Sequence, residues 1–367
     1  MIMTLEGKGF YIWKVTDCEA GDANAIAEAA HSAGLGHILI KIANGVYPYN
    51  YDWNKKADQV KPVVQALHTK GIRVWGWHYV YGDKPIDEAR IAISRVKELN
   101  LDGYAIDAET EYKMPGKNAA ATQFMKELRL GLPNTLVALS SYRYPSYHPQ
   151  LPWREFLNKC DYNMPQVYWI KANNPGSQLQ RCVREFQDIA PYRPIIPTGA
   201  AFSEQGWTAT AAEITEFLRT AQSLTLNAAN FWSWDYCKNR LPNLWKVIAD
   251  YPWSTTPLPA DITQNLITAD NTHDPDKVAN LYHPTAVHIN ANRTIQGRTA
   301  IRAWYQTLFT QILPNAKFTL VGSSGTGNSR QFTWIATSTS GIVLNGNDTL
   351  GLQNEQISYH YTFFTIS

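Results

Sequence analysis

The chain has 367 residues, of which 44% are hydrophobic, 17% charged and 12% aromatic, with a formal net charge of +2. A length near that suggests about two domains, and intrinsic disorder, which needs low hydrophobicity and high net charge, is excluded. No run of Lys and Arg is present to follow a phosphate backbone, so a nucleic-acid partner is not expected. No stretch approaches the roughly 20 apolar residues of a membrane span, so no membrane partner is expected either.

The opening residues, MIMTLEGKGFYIWKV, lack the charged, apolar and small-residue succession of a secretory leader. As written the chain reads as cytoplasmic, and as extracellular if a leader has been trimmed. Cys18, Cys160, Cys182 and Cys237 lie far apart with no C-x-x-C pair. They read as buried free thiols rather than as a zinc framework or a disulfide scaffold, and no cofactor is expected.

Apolar strand-like runs alternate with amphipathic stretches from the start of the chain to about residue 250. The runs are 9–17, 37–44, 72–81, 103–109, 136–142, 161–169, 194–202 and 228–236. Helical segments sit between them at 23–33, 56–70, 86–100, 119–130, 178–189 and 211–223, with apolar spacings of three and four such as Val60, Val63, Val64 and Leu67. Near-continuous apolar strands are those of a parallel sheet covered by helices. Eight such units of roughly 31 residues fit a closed (β/α)8 TIM barrel over residues 1–253. An open doubly wound sheet is the alternative, but no G-x-G-x-x-G follows the first strand.

Three prolines between Tyr251 and Pro259 mark an extended connector, placed at 254–260. Beyond it, 262–281 reads as helical, 286–290 as a short strand, and Gly297–Tyr305 as the opening of a second helix. Period-two alternation then runs from Lys317 to Ile366. Helices first and antiparallel strands last make a small α+β domain over 261–367.

The fourth barrel strand, Leu101–Glu109, carries the chemistry. Side chains alternate along a strand, so Gly103, Ala105, Asp107 and Glu109 share one face, the last two about 6.6 Å apart at their origins. Small residues would leave room in the lumen, and the carboxylates would stand at its mouth, where barrel enzymes place reacting groups. Two close carboxylates split their pKa values, leaving one as an acid and the other ionised. The bland alternative is a solvated pair, or a salt bridge to Lys41. That lysine faces the lumen and pairs with a carboxylate, since an unpaired buried charge is costly. Trp77, Tyr79, Tyr168, Trp169, Trp232 and Trp234 lie late in their strands, where flat rings can stack on a sugar. By alternation about half must instead point under the helices. His78 reads as a satisfied core histidine.

Asp102-Gly-Tyr-Ala-Ile-Asp-Ala-Glu109 resembles the D-G-x-D-x-D-x-E strand of family 18 glycoside hydrolases, and its D-x-E part the corresponding strand of the lysozyme-like family 25. Ile40–Gly45 and Trp75–Tyr79 are similar to the second and third strands of family 25. Asp161–Tyr168 is similar to the sixth strand of the chitinase type, and Phe231–Asp235 to the Trp-bearing eighth strand of both. Two departures stand out: Ala105 replaces the first Asp of the chitinase triad, and only Asp17 is available as a first-strand Asp.

The resemblance implies hydrolysis of an N-acetylamino-sugar polymer, peptidoglycan or chitin, with Glu109 as general acid and Asp107 orienting an acetamido group or water. Tyr168, Gln166, Trp234, Asp235, Trp77, Tyr79 and Lys41 would bind the substrate. The alternatives are a non-catalytic carbohydrate-binding barrel, motivated by Ala105, and small-molecule chemistry in the C-terminal domain. That domain resembles the SnoaL-like branch of the nuclear transport factor 2-like superfamily through 274–283, Gly297–Tyr305, 347–350 and 356–364. The resemblance implies a cone-shaped fold enclosing a pocket, to which His273, His283, His288 and His360 could contribute, and a homodimer formed through the sheet.

Overall fold

The computed structural model describes residues 5–253, 261–325 and 328–367. The chain forms two compact units, one of residues 1–175 and 182–256 and the other of residues 176–181 and 257–367. The Pro-rich connector expected at 254–260 lies outside the described residues.

The first unit is a closed eight-stranded parallel barrel. Its strands are β1 (Gly7–Ile12), β2 (Leu35–Asn44), β3 (Arg73–Val80), β4 (Gly103–Ala108), β5 (Leu136–Tyr142), β6 (Tyr162–Val167), β7 (Thr198–Ala200) and β8 (Ala228–Trp232). Each pairs with the next, and β1 pairs with both β2 and β8, which closes the ring. Helices follow the strands, among them α1 (Ala23–Ser32), α2 (Val60–Thr69), α3 (Pro85–Leu99) and α4 (Lys117–Gly131), then α5 (Trp153–Leu157), α6 (Pro175–Gln187) and α7 (Ala211–Ser223). Two short helices, α8 (Trp234–Arg240) and α9 (Pro242–Asp250), end the unit. A capping box starts α7: Thr210 and Glu213 each bond the other's backbone N–H, satisfying two donors that a helix start leaves open.

Three strand boundaries differ from the sequence reading. β1 stops at Ile12, and Val15–Asp17 forms a 3-10 turn that carries Asp17 into solvent. The seventh strand shrinks to Thr198–Ala200. β8 ends at Trp232, and α8 begins two residues later.

The second unit begins with α10 (Ile262–Asp270) and α11 (Pro275–Ala279). The single helix expected over 262–281 is broken at 271–274, because Asp274 caps α11 with its side chain and Pro275 takes the first helical position. The residue before a proline is pushed out of helical geometry. After these come β9 (Tyr282–Asn290), β10 (Arg293–Gln296), α12 (Arg298–Thr307), β11 (Lys317–Ser324), β12 (Ser329–Ser338), β13 (Gly341–Gln353) and β14 (Gln356–Phe363). They form one six-stranded sheet in the order β10-β9-β14-β13-β12-β11. One face buries Phe318, Phe332, Trp334, Val343, Leu350 and Ile357 with the helices.

Candidate functional site

Within the barrel, residues from around the ring form one buried cluster: Tyr11, Leu39, Trp75, Trp77, Ala105, Ala138, Met164, Ile196 and Ala228. The small residues of β4 have a packing reason. Gly103 stands in register with Trp75, and Ala105 with Trp77. The room expected beside the small pair is therefore filled by indole rings. It also gives Ala105 a structural role.

Above this floor lies a polar layer. Asp107 is buried near the end of β4, and Glu109 follows one residue beyond the strand, partly exposed at the mouth. Gln166, on β6, joins them: its Nε2 donates to Glu109 Oε1 at 2.8 Å and to Asp107 Oδ1 at 3.2 Å. Burial pushes the Asp107 carboxyl well above the usual range, Glu109 adds to the rise, and Lys41 opposes it. The sequence reading gave the retained proton to Glu109. In the free protein the raised group is the more buried Asp107, since removing a carboxyl from water disfavours its charged form.

A third carboxylate, Glu111, was missed by sequence reasoning. Tyr79 Oη donates to its Oε2 at 2.8 Å. No strand periodicity reaches Glu111, which lies in the 3-10 turn at Thr110–Lys113. The Tyr11 hydroxyl, also missed, donates to Met164 Sδ at 3.6 Å, and Asp107 is among the charges that act on it.

Lys41 departs from the expected ion pair. Among the described residues no carboxylate lies within ion-pair distance of it, and its ammonium instead faces four rings. The centroids are at 4.5 Å (Tyr49), 4.8 Å (Trp77), 5.7 Å (Trp13) and 5.9 Å (Tyr79). Burial lowers Lys41 to about 8, against the pull of Asp107. Trp232 leans on Tyr11, Trp13 and Trp77, and Tyr168 meets Phe202 edge-on at 5.2 Å. Glu109 and Asp107 both act on the Tyr168 hydroxyl, whose pKa is raised chiefly by burial. His78 is a core histidine, as expected: its ring bonds Tyr104 Oη and Gly45 O, and burial lowers it to about 3.

Two aromatic assignments are corrected. Trp234 opens α8 rather than ending β8; it is fully buried against Phe10 and Trp245, and its Nε1 donates to Glu19. A substrate cannot reach it. Trp169 is equally buried, against Phe217 and Trp207. Asp235 sits in the first turn of α8, its carboxyl raised by burial and its Oδ1 without a partner among the described residues.

The interior of the second unit holds its own polar chain. Asp348 accepts from His360 Nε2 at 2.8 Å, Trp334 Nε1 at 2.9 Å and Thr362 Oγ1 at 2.6 Å. Tyr282 Oη lies 2.5 Å from His360 Nδ1. Tyr305 Oη lies 2.9 Å from Tyr282 Oη and completes the chain. His288 packs on His360 with ring centroids 4.6 Å apart and is lowered by burial to about 2. Its Nδ1 and Asp270 Oδ1 are buried without partners among the described residues, and burial raises Asp270 well above the usual carboxyl range. Of the other histidines, His273 bonds Ala316 O and His283 bonds Thr285.

Residues 263–360 form a SnoaL-like domain. Solved structures similar to part of the chain include a SnoaL-like family protein from Agrobacterium tumefaciens, at 24% identity over 28% of this chain and 94% of that one, with a TM-score of 0.26. An NTF2-like protein of unknown function from Mesorhizobium loti matches at 21% identity over 28% of this chain and 88% of that one, TM-score 0.26. Another, from Cytophaga hutchinsonii, matches at 10% identity over 28% and 87%, TM-score 0.25. No curated protein matches the chain. Among the described residues no group of three or more His, Cys, Asp or Glu side chains could hold a metal ion, and no helix is long and apolar enough to cross a membrane. All four cysteines are buried and free.

Proposed function

We propose that the barrel is a glycoside hydrolase acting on an N-acetylamino-sugar polymer of the peptidoglycan or chitin type. The observation that carries this reading is the single amide of Gln166 bridging Asp107 and Glu109 at the C-terminal mouth of the barrel, beside Tyr79, Tyr168 and Trp232. Glu109, the more exposed carboxyl, protonates the glycosidic oxygen as the C1–O bond breaks. As it does so the acetamido oxygen bonds to C1 in place of the leaving group, and Asp107, holding its proton beneath, accepts the acetamido N–H at its carbonyl oxygen. Substrate-assisted hydrolysis of this kind needs no second carboxylate as nucleophile. Glu109 then takes a proton from the attacking water. Turnover of chitooligosaccharides and peptidoglycan by wild type and Glu109→Gln tests the reading. A barrel that binds these glycans without cleaving them would be the carbohydrate-binding alternative.

A second reading, small-molecule binding or chemistry inside the SnoaL-like domain, is compatible with the partnerless Asp270 Oδ1 and His288 Nδ1 beside the Asp348–His360–Tyr282 chain. Buried polar atoms left unmatched are costly, and a ligand that hydrogen-bonds them would remove that cost. A ligand retained by wild type but not by the double variant Asp270→Leu, His288→Leu would support it.

A further inference from the structure

We propose that Lys41 is a specificity-determining residue, whose ammonium pairs with a carboxylate carried by the sugar that the barrel binds. The proposal rests on the reading of the barrel as a glycan site and names the substrate class within it.

Two lysines of the same barrel meet their charge in different ways. Lys8 and Lys41 are both buried, at 3% and 5% exposure. An ammonium carries three N–H donors and no acceptor. Lys8 places all three, on the carbonyls of Ile248, Ala249 and Tyr251 at 2.7, 2.7 and 2.8 Å. Its charge is a structural device that holds the C-terminal end of α9. Lys41 places none on any described group. It is held instead by ring faces from three segments: Trp13 after β1, Tyr49 after β2, and Trp77 and Tyr79 of β3.

Cation–π contacts attract the charge, but they leave its N–H groups without acceptors. The cage therefore positions an ammonium without neutralising it. Asp107 is not its counter-ion, because burial outweighs the pull of Lys41 and keeps that carboxyl protonated well above the usual range. An apolar residue would fill the cage at lower cost, since a buried charge is tolerated when paired and hydrogen-bonded. The missing element is an anionic acceptor. A neutral sugar hydroxyl could take one N–H; a carboxylate takes the hydrogen bonds and the charge together. Two kinds of sugar supply it: a uronic acid, or an amino sugar with a lactyl ether, as in muramic acid.

The test uses the full chain carrying Glu109→Gln, so that binding is read without turnover. Calorimetric titration compares four tetrasaccharides: neutral chitotetraose, an alternating glucosamine–muramic acid oligomer, the same oligomer with its lactyl carboxylates reduced to alcohols, and an oligomer containing uronic acid. The expected result is tenfold or more tighter binding of one acidic oligomer than of the neutral ones. That preference disappears in Lys41→Met and persists in Lys41→Arg. Whichever acidic oligomer shows it identifies the source of the carboxylate.

Equal affinity for the native and reduced oligomers, together with no preference for the uronic acid, overturns the proposal in the Lys41-containing protein alone, whatever the stability of the variants. Equal losses for acidic and neutral oligomers in Lys41→Met overturn it as well. If wild type cleaves these glycans and the preference is absent, the hydrolase reading stands and the role of Lys41 falls. A Lys41-dependent preference without cleavage by wild type leaves Lys41 standing and removes the hydrolase.

Discussion

Trp75 lies so close over Gly103 that a Cβ at that glycine would stand 2.1 Å from the indole Cε2. The two residues are in register on adjacent strands, so neither can shift without breaking the ladder. Gly103→Ala should therefore destabilise the barrel by about 1–3 kcal/mol, the usual cost of overpacking a filled core. Chemical denaturation checks it, and an unchanged midpoint would show that the ring moves aside freely.

That contact also shows what the sequence could and could not disclose. Period two placed Gly103, Ala105 and Asp107 on one face correctly, and the apolar runs located all eight strands. Where the runs stop was harder to read. The chain turns at Ser233 inside the aromatic-rich stretch 231–236, and so Trp234 lies in the helical layer rather than the lumen. Glu111 was invisible because a 3-10 turn has neither strand nor helix period. The environment of Lys41 was half legible: burial cost implied a partner, but not that the partner would be four rings brought from three segments. In the second unit Asp274-Pro275 carried the signal that splits the first helix, masked by the apolar spacing on either side.

Gln166 is the bridge between the two carboxyls, and its loss should be felt in catalysis rather than in folding. Gln166→Met keeps the length and removes the N–H groups. Turnover should drop roughly 10–100-fold, corresponding to the loss of two hydrogen bonds of about 1 kcal/mol each, while the melting temperature stays within a few degrees. An unchanged rate would mean that the amide does not hold the pair in its working geometry.

The raised carboxyl of Asp107 has a consequence for stability against pH. A group that binds its proton more tightly when folded contributes stability that is fully present below the ordinary carboxyl range. That contribution is lost as pH rises through the folded value. Asp107→Asn cannot titrate. Its melting temperature relative to wild type should therefore climb as pH is raised from about 4 to about 7, starting from the ordinary carboxyl value and staying below the value of about 8 at Lys41. A difference that stays flat over this window would contradict the burial of an unionised Asp107.

We propose that the chain dimerises through its SnoaL-like domain. The outer face of the six-stranded sheet exposes Ile335, Ile342, Leu344, Tyr359, Tyr361 and Phe363, with Leu344 at 71%. Contiguous apolar surface of this kind marks an interface, and a two-fold pairing closes it most simply. Light scattering on the full chain should give twice the monomer mass at micromolar concentration. Leu344→Lys with Tyr361→Lys should return the monomer. A monomeric wild type would remove the proposal.

The central claim is that Glu109 delivers a proton to the glycosidic oxygen. Glu109→Gln keeps the shape and the hydrogen bond partner of Gln166 but has no acidic proton to give. The most direct measurement is the rate of reducing-end release from chitooligosaccharides and peptidoglycan by wild type and Glu109→Gln, with melting temperatures taken in parallel. The account predicts cleavage of at least one of these glycans by wild type and a fall of about 10²–10⁴-fold in the variant, the usual worth of general acid catalysis, with folding intact. Near-wild-type turnover by Glu109→Gln, or no cleavage of either glycan by wild type, would contradict it.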